Sequence, residues 1–217
     1  MSDYSVTLEI SGATAMWTRP DTGDAPVSYP APTFGAVKGI FECILWSQWA
    51  EVVPTKVEIC APIVYHTYTT NYGGPLRKSK IMPAGSFQLI ATVLINVCYR
   101  LHAALRCDTS GYHLHGRPGL QSNGTTNGAH AYKEVFERRL SRGQCFAIPC
   151  LGWKEFTPDY VGPFRKETEV RRDITLPPMA SMLRTCFPGG KRSDWVPSFH
   201  HDPKPAQVKE GVMFYAE

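Results

Sequence analysis

Along SVTLEISGATAMW, Val6, Leu8 and Ile10 alternate with Ser5, Thr7 and Glu9, and a period of two predicts a strand buried on one face. The period changes after Pro32. Phe34, Val37, Ile40, Phe41, Ile44 and Leu45 recur at helical spacing, with Thr33 placed to cap the start. Gly35 and Gly39 sit one turn apart beside that stripe, which predicts close packing of the helix on a sheet. TKVEICAPIVYHTY reads as a strand, and residues 87–106 as one strand or two. A second helix is predicted over 129–143, with Tyr132, Val135, Phe136 and Leu140 turned inward and Gly143 as its stop. QCFAIPCLGWKEF then reads as a strand with a turn at Pro149 to Gly152. Three loops separate these elements, at 18–32, 69–86 and 107–128, and a proline-rich tail of short strands follows.

The order β-α-β-β-α-β makes the chain an α+β protein of the ferredoxin-like arrangement, which RNA-recognition domains share. With 217 residues and 43% hydrophobic content, it is long enough for one large domain or two small ones. A net charge of +4 permits a polyanionic partner without requiring one. The seven cysteines are odd in number and form no CxxC, and the N-terminus lacks a basic stretch followed by an apolar run, so a reducing cytoplasm is expected. No apolar run approaches the roughly 20 residues that span a bilayer. Cys107, His113 and His115 match no standard zinc spacing, and His200-His201-Asp202 reads as a polar loop, so no metal is expected. GxGxxG and P-loop patterns are absent, so no nucleotide cofactor is expected either.

Basic and aromatic residues carry the remaining chemistry. Arg77, Lys78 and Lys80 share a loop region with Tyr68 and Tyr72, a pairing of cations and rings suited to single-stranded RNA. Lys38 lies on the first helix, and Arg138, Arg139 and Arg142 on the second. HAYK, residues 130–133, holds the side chain types that cut RNA without metal. A base takes the 2′-OH proton, an acid protonates the leaving 5′-oxygen, and a cation meets the charge building on phosphorus. His130 and Lys133 share a helix face at i, i+3, whereas Tyr132 falls on the apolar stripe and reads mainly as packing.

VSYPAPTFGAVKGIFECILW (27–46) and FERRLSRGQCFAIPCLGWKEF (136–156) resemble the CRISPR-associated Cas-five family of type I-C systems. SGATAMWTRP is similar to that family's opening motif, and TEVRRDITLPPMASML and VKEGVMFYAE to its C-terminal elements. The resemblance implies an RNA-recognition-like domain over 1–152, with a thumb-like loop at 69–86, and a small antiparallel β domain over 153–217. It implies a subunit of Cascade that grips the 5′ handle of the crRNA. The expected partners are the backbone and large subunits, with target DNA met only through the complex and no membrane involved. RNA contacts are expected from Lys38, Arg77, Lys78, Arg138, Arg139, Arg142 and the main chain around Gly143 to Cys145. The family usually also cuts the repeat RNA, using a Tyr before the Trp that ends the first helix and a Lys-His pair opening the second. Here those positions hold Leu45 and Ala131-Tyr132. The expected cutting set is therefore His130 as base or acid, Lys133 as charge stabiliser and Tyr132 as auxiliary. The alternative is a non-catalytic RNA-binding subunit whose guide is processed by another nuclease.

Overall fold

The structure is a computed structural model that describes residues 4–47, 50–72, 87–107, 128–179, 181–186, 196–200 and 204–215. In chain order it contains β1 (Ser5–Ala15), α1 (Phe34–Ile44), β2 (Ala50–Ile59), β3 (Val64–Tyr72), β4 (Phe87–Cys107) and α2 (Gly128–Ser141). There follow β5 (Tyr160–Gly162), β6 (Met182–Thr185), β7 (Ser198–His200), β8 (Val208–Lys209) and β9 (Val212–Phe214).

The chain is thus mixed α and β, built around an antiparallel sheet whose strand order is β5-β1-β4-β2-β9-β8. β4 is the spine. It pairs with β1 along one edge, from Ala15↔Leu94 to Ser5↔Ala104. Along its other edge it pairs first with β3, from Tyr72↔Phe87 to Val64↔Ile95, and then with β2, from Ile59↔Tyr99 to Ala50↔Cys107. Strands from beyond residue 152 extend this sheet at both ends, β5 beside β1 and β9 beside β2. β6 and β7 form a separate two-stranded sheet.

The expected alternation holds in β1, where Val6, Leu8 and Ile10 are buried. They join Val57, Ile59, Leu101 and Ala103 in one core with Val37, Phe41 and Ile44 of α1 and Tyr132, Phe136 and Leu140 of α2. Each such Leu, Ile or Phe contributes about 2 kcal/mol by leaving water. Thr33 caps α1 as expected, its Oγ1 accepting from the Ala36 amide at 3.2 Å. The α1–α2 contacts Phe41–Phe136 and Leu45–Tyr132 run in opposite sequence order, so the helices are antiparallel.

Four expectations change. The strand expected over 144–156 does not form. Phe146 and Ala147 instead donate their amides to the Cys43 carbonyl, and Leu151 turns inward against the end of β1, where its carbonyl accepts the Met16 amide at 2.8 Å. Gly152 makes that turn at φ +97, with the Met16 carbonyl so close that a Cβ would stand 1.8 Å from it. The β edge position is filled by Tyr160–Gly162. The single strand read over 55–68 is two strands, β2 and β3, broken around Pro62, while 87–106 is one unbroken strand. Of the two α1 glycines, Gly35 does approach a strand, the Arg184 carbonyl standing 3.3 Å from a would-be Cβ, whereas Gly39 faces open space. Glu9, on the polar side of β1, is fully buried. Residues 164–168 cross over it, with Arg165 and Thr168 donating to its carboxylate.

Candidate functional site

One end of the sheet gathers the start of β1, the end of β4, the end of α1 and the start of α2. Tyr4 precedes β1, and its carbonyl accepts the Leu105 amide at 2.8 Å. Its ring meets the His130 imidazole, centroids 5.6 Å apart and planes inclined at 52°. Tyr4 is half-buried and His130 exposed. Lys133 stands one turn further along the same face of α2, its Nζ 3.5 Å from Glu137 Oε1. That pair is solvent-exposed on both sides and holds Lys133 weakly, so the ammonium is available to an anion.

Tyr132 departs from this group. It is 1% exposed, stacks on Phe136 at 6.0 Å and donates its hydroxyl to the Leu45 carbonyl. Burial pushes its phenol well above the ordinary range. It packs as a peg between the helices, its hydroxyl engaged by the Leu45 carbonyl. Leu45 itself is half-buried and packs on the core, and Trp46 beside it is 52% exposed. Glu42, on the flank of α1, has its carboxyl pushed up by burial, against the pull of Lys38.

The expected RNA contacts fall into four sets. Arg138 and Arg142 are exposed near the end of α2, and Arg139 half-buried. Lys38 is level with Arg139 in the antiparallel helix register, but it is partnered, its Nζ 2.7 Å from Glu51 Oε1. Gly143 ends α2 at φ +63, its amide donating to the Leu140 carbonyl and the Gln144 amide to the Arg139 carbonyl. This is the helix stop read from the sequence. It uses the Gly143 and Gln144 amides within the turn. Beyond it, Phe146 and Ile148 are 80% and 75% exposed, where the chain turns back to the Cys43 carbonyl near the end of α1. Of the loop expected at 69–86, residues 69–72 belong instead to β3, paired with the start of β4, and 73–86, with Arg77 and Lys78, lie outside the described residues.

Among the described residues no group of three His, Cys, Asp or Glu side chains is placed to hold a metal ion. His200 is buried against Tyr215, while His113, His115, His201 and Asp202 lie outside the described residues. No helix of the described residues is long and apolar enough to cross a membrane. The position that sequence reasoning missed is Tyr4. No motif joins it to His130, because only the pairing of β1 with β4 brings its strand to the start of α2.

Comparison with known proteins adds the following. A family profile described as CRISPR-associated protein (Cas_Cas5) matches residues 5–215. A protein of Mannheimia succiniciproducens named CRISPR pre-crRNA endoribonuclease Cas5d is 30% identical over 169 residues, covering 70% of this chain and 69% of the relative. One of the same name from Thermus thermophilus is 28% identical over 158 residues, covering 72% of this chain and 62% of the relative. A crystal structure described as a CRISPR-associated protein superposes with a TM-score of 0.67 at 17% identity, covering 98% of this chain and 92% of that one, and so shares the fold.

Proposed function

The chain belongs to the CRISPR-associated Cas5 family, and from that premise we propose that it is a subunit of a type I-C-like Cascade that grips the crRNA 5′ handle and cuts pre-crRNA without metal. The observation that carries the cutting is the solvent-facing pair His130 and Lys133, one turn apart at the start of α2. His130 takes the proton of the attacking 2′-OH, and Lys133 meets the charge that develops on the phosphate. The grip comes from Arg138, Arg139 and Arg142 at the far end of α2, with Lys38 beside them and Arg77 and Lys78 from the thumb-like loop. Exposed Phe146 offers a ring on which a base can stack.

In this reading residues 1–152 supply the ferredoxin-like, RNA-recognition-like domain, completed by β5 from beyond them: two helices cross one face of an antiparallel sheet, and in β5-β1-β4-β2 the first strand is central. Residues 153–217 form the C-terminal β unit. The complex is cytoplasmic, its backbone and large subunits contact this chain, and target DNA is met only through them.

A second reading has an observation of its own. Leu45 stands where the resemblance expects a tyrosine, and Tyr132 stands in the Lys-His register but is buried, which favours a subunit that grips without cutting. Incubation of labelled repeat RNA in EDTA with wild type and with His130→Ala/Lys133→Ala separates the two. Cutting at one position by wild type, lost in the double variant, is the expected result. Tight, salt-sensitive binding with no cutting would sink the nuclease reading and leave the grip. A chain that binds no repeat RNA even within its complex would remove both.

A further inference from the structure

Metal-free cutting of RNA needs two proton-transfer groups, a base for the 2′-OH and an acid for the 5′-oxygen. His130 is one. The phenol next to it in sequence, that of Tyr132, is closed off by the core and bonded to the Leu45 carbonyl. The phenol next to it in space belongs to Tyr4, whose ring lies 5.6 Å from the imidazole, centroid to centroid. Two contacts hold Tyr4 in place. Its carbonyl accepts the Leu105 amide at the end of β4, and its ring packs on the edge of the core while remaining half-buried. A side chain fixed by a strand on one side and by packing on the other loses little further freedom when RNA arrives, which is what positioning an acid requires. An aromatic neighbour alone would serve His130 as a packing surface, and the hydroxyl is what distinguishes an acid from such a surface.

We infer that Tyr4 is the second proton-transfer group of this site, the acid that protonates the leaving 5′-oxygen. The inference rests on the cutting reading above. The step balances as follows. The 2′-OH gives its proton to the neutral His130 imidazole while O2′ forms a bond to phosphorus. The P–O5′ bond breaks, and O5′ takes the Tyr4 phenolic proton, leaving a 2′,3′-cyclic phosphate and a 5′-hydroxyl. The Tyr4 phenolate and the His130 imidazolium, side by side, then return to their starting states by proton exchange. Lys133, on the same face of α2 as His130, stays protonated throughout and bears on the phosphate charge.

The test uses the full chain, repeat RNA in EDTA, and a second RNA whose scissile 5′-oxygen is replaced by sulfur. A thiolate leaves without a proton, so a missing acid is rescued on the sulfur substrate while a missing base is not. Tyr4→Phe keeps the ring and removes only the hydroxyl. The expected result is cutting slowed about 100-fold on the oxygen substrate, cutting close to wild type on the sulfur substrate, and unchanged RNA binding. His130→Ala is expected to be slow on both. Equal rates for Tyr4→Phe and wild type on the oxygen substrate, or an equal loss on both substrates, would overturn the assignment of Tyr4 and leave the role of His130 intact. Wild type that cuts neither substrate overturns the assignment together with the cutting reading.

Discussion

Glu9→Gln probes the join between β1 and the chain beyond residue 152. The Glu9 carboxylate is 0% exposed and takes donors from four residues, the Cys98 thiol among them at 3.8 Å. Arg165 gives Nε at 2.6 Å and its backbone amide at 3.1 Å, Thr168 its hydroxyl at 2.9 Å, and Arg100 Nε at 3.4 Å. Burial alone pushes this carboxyl up, but the Arg165 and Thr168 hydrogen bonds outweigh it and hold the group below its ordinary value. Glutamine keeps the shape, loses the charge and turns an NH2 toward donors. Breaking a fully buried pair costs about 3–5 kcal/mol. The Arg165 side chain is 32% exposed and can rehydrate, so the loss here is set lower, at about 2–3 kcal/mol. In a chain of this length that is a fall in Tm of roughly 5–10 °C. Because the folded carboxyl titrates below the unfolded one, its contribution is complete above the unfolded pKa of about 4.3 and is lost as pH falls through the folded value. Urea unfolding followed by tryptophan fluorescence at pH 7, 5 and 3 is the assay. The variant should have the lower midpoint at pH 7 with an unchanged slope, and the gap should close at pH 3. Equal midpoints at pH 7, or a gap indifferent to acid, would refute the account of Glu9 as an ionised anchor.

Two further substitutions test the local geometry. Tyr132→Phe leaves the buried Leu45 carbonyl without its donor and should cost about 1 kcal/mol in thermal unfolding, while the pH profile of RNA cutting stays that of wild type; a moved profile would return Tyr132 to the chemistry. Gly152→Ala forces a side chain into φ +97 and against the Met16 carbonyl. Strain and overpacking together should cost about 2–5 kcal/mol, and a thermal midpoint within a degree of wild type would contradict the turn.

Periodicity is a local property, and it was legible wherever one element faces one core. Val6, Leu8 and Ile10, the α1 positions from Phe34 to Ile44, Tyr132, Phe136 and Leu140 of α2 and the Thr33 cap stand where their spacing places them, whereas Leu45 and Val135 are only half-buried. The segment 144–156 carries the same apolar density but spends it differently, exposing Phe146 and Ile148 and burying Leu151 in a turn. Nothing local records that Met16 waits to receive Leu151. Glu9 was legible as polar but not as buried, because its cover comes from residues 165–168, more than 150 positions away. The candidate site divides in the same way. His130 and Lys133 could be read from one helix face, and the stripe already marked Tyr132 as a packing residue. Tyr4 could not be read, because its neighbour is supplied by strand pairing alone.

The central place of β4 also bears on how the chain folds. β1 pairs with residues about a hundred positions later, so nothing local holds it while the intervening chain is made. At about 5–20 residues per second, the ribosome leaves β1 without its partner for several seconds or more. During that time an apolar face and an open row of amides and carbonyls face the surroundings. β2 waits less for β4, but its far edge stays open until Val212–Phe214 arrives. Such distant pairings make loop closure the slow event and predict folding in the slow, high-contact-order class. A chaperone or an early-binding partner subunit would therefore have its greatest effect on newborn chains, before residue 107 leaves the exit tunnel.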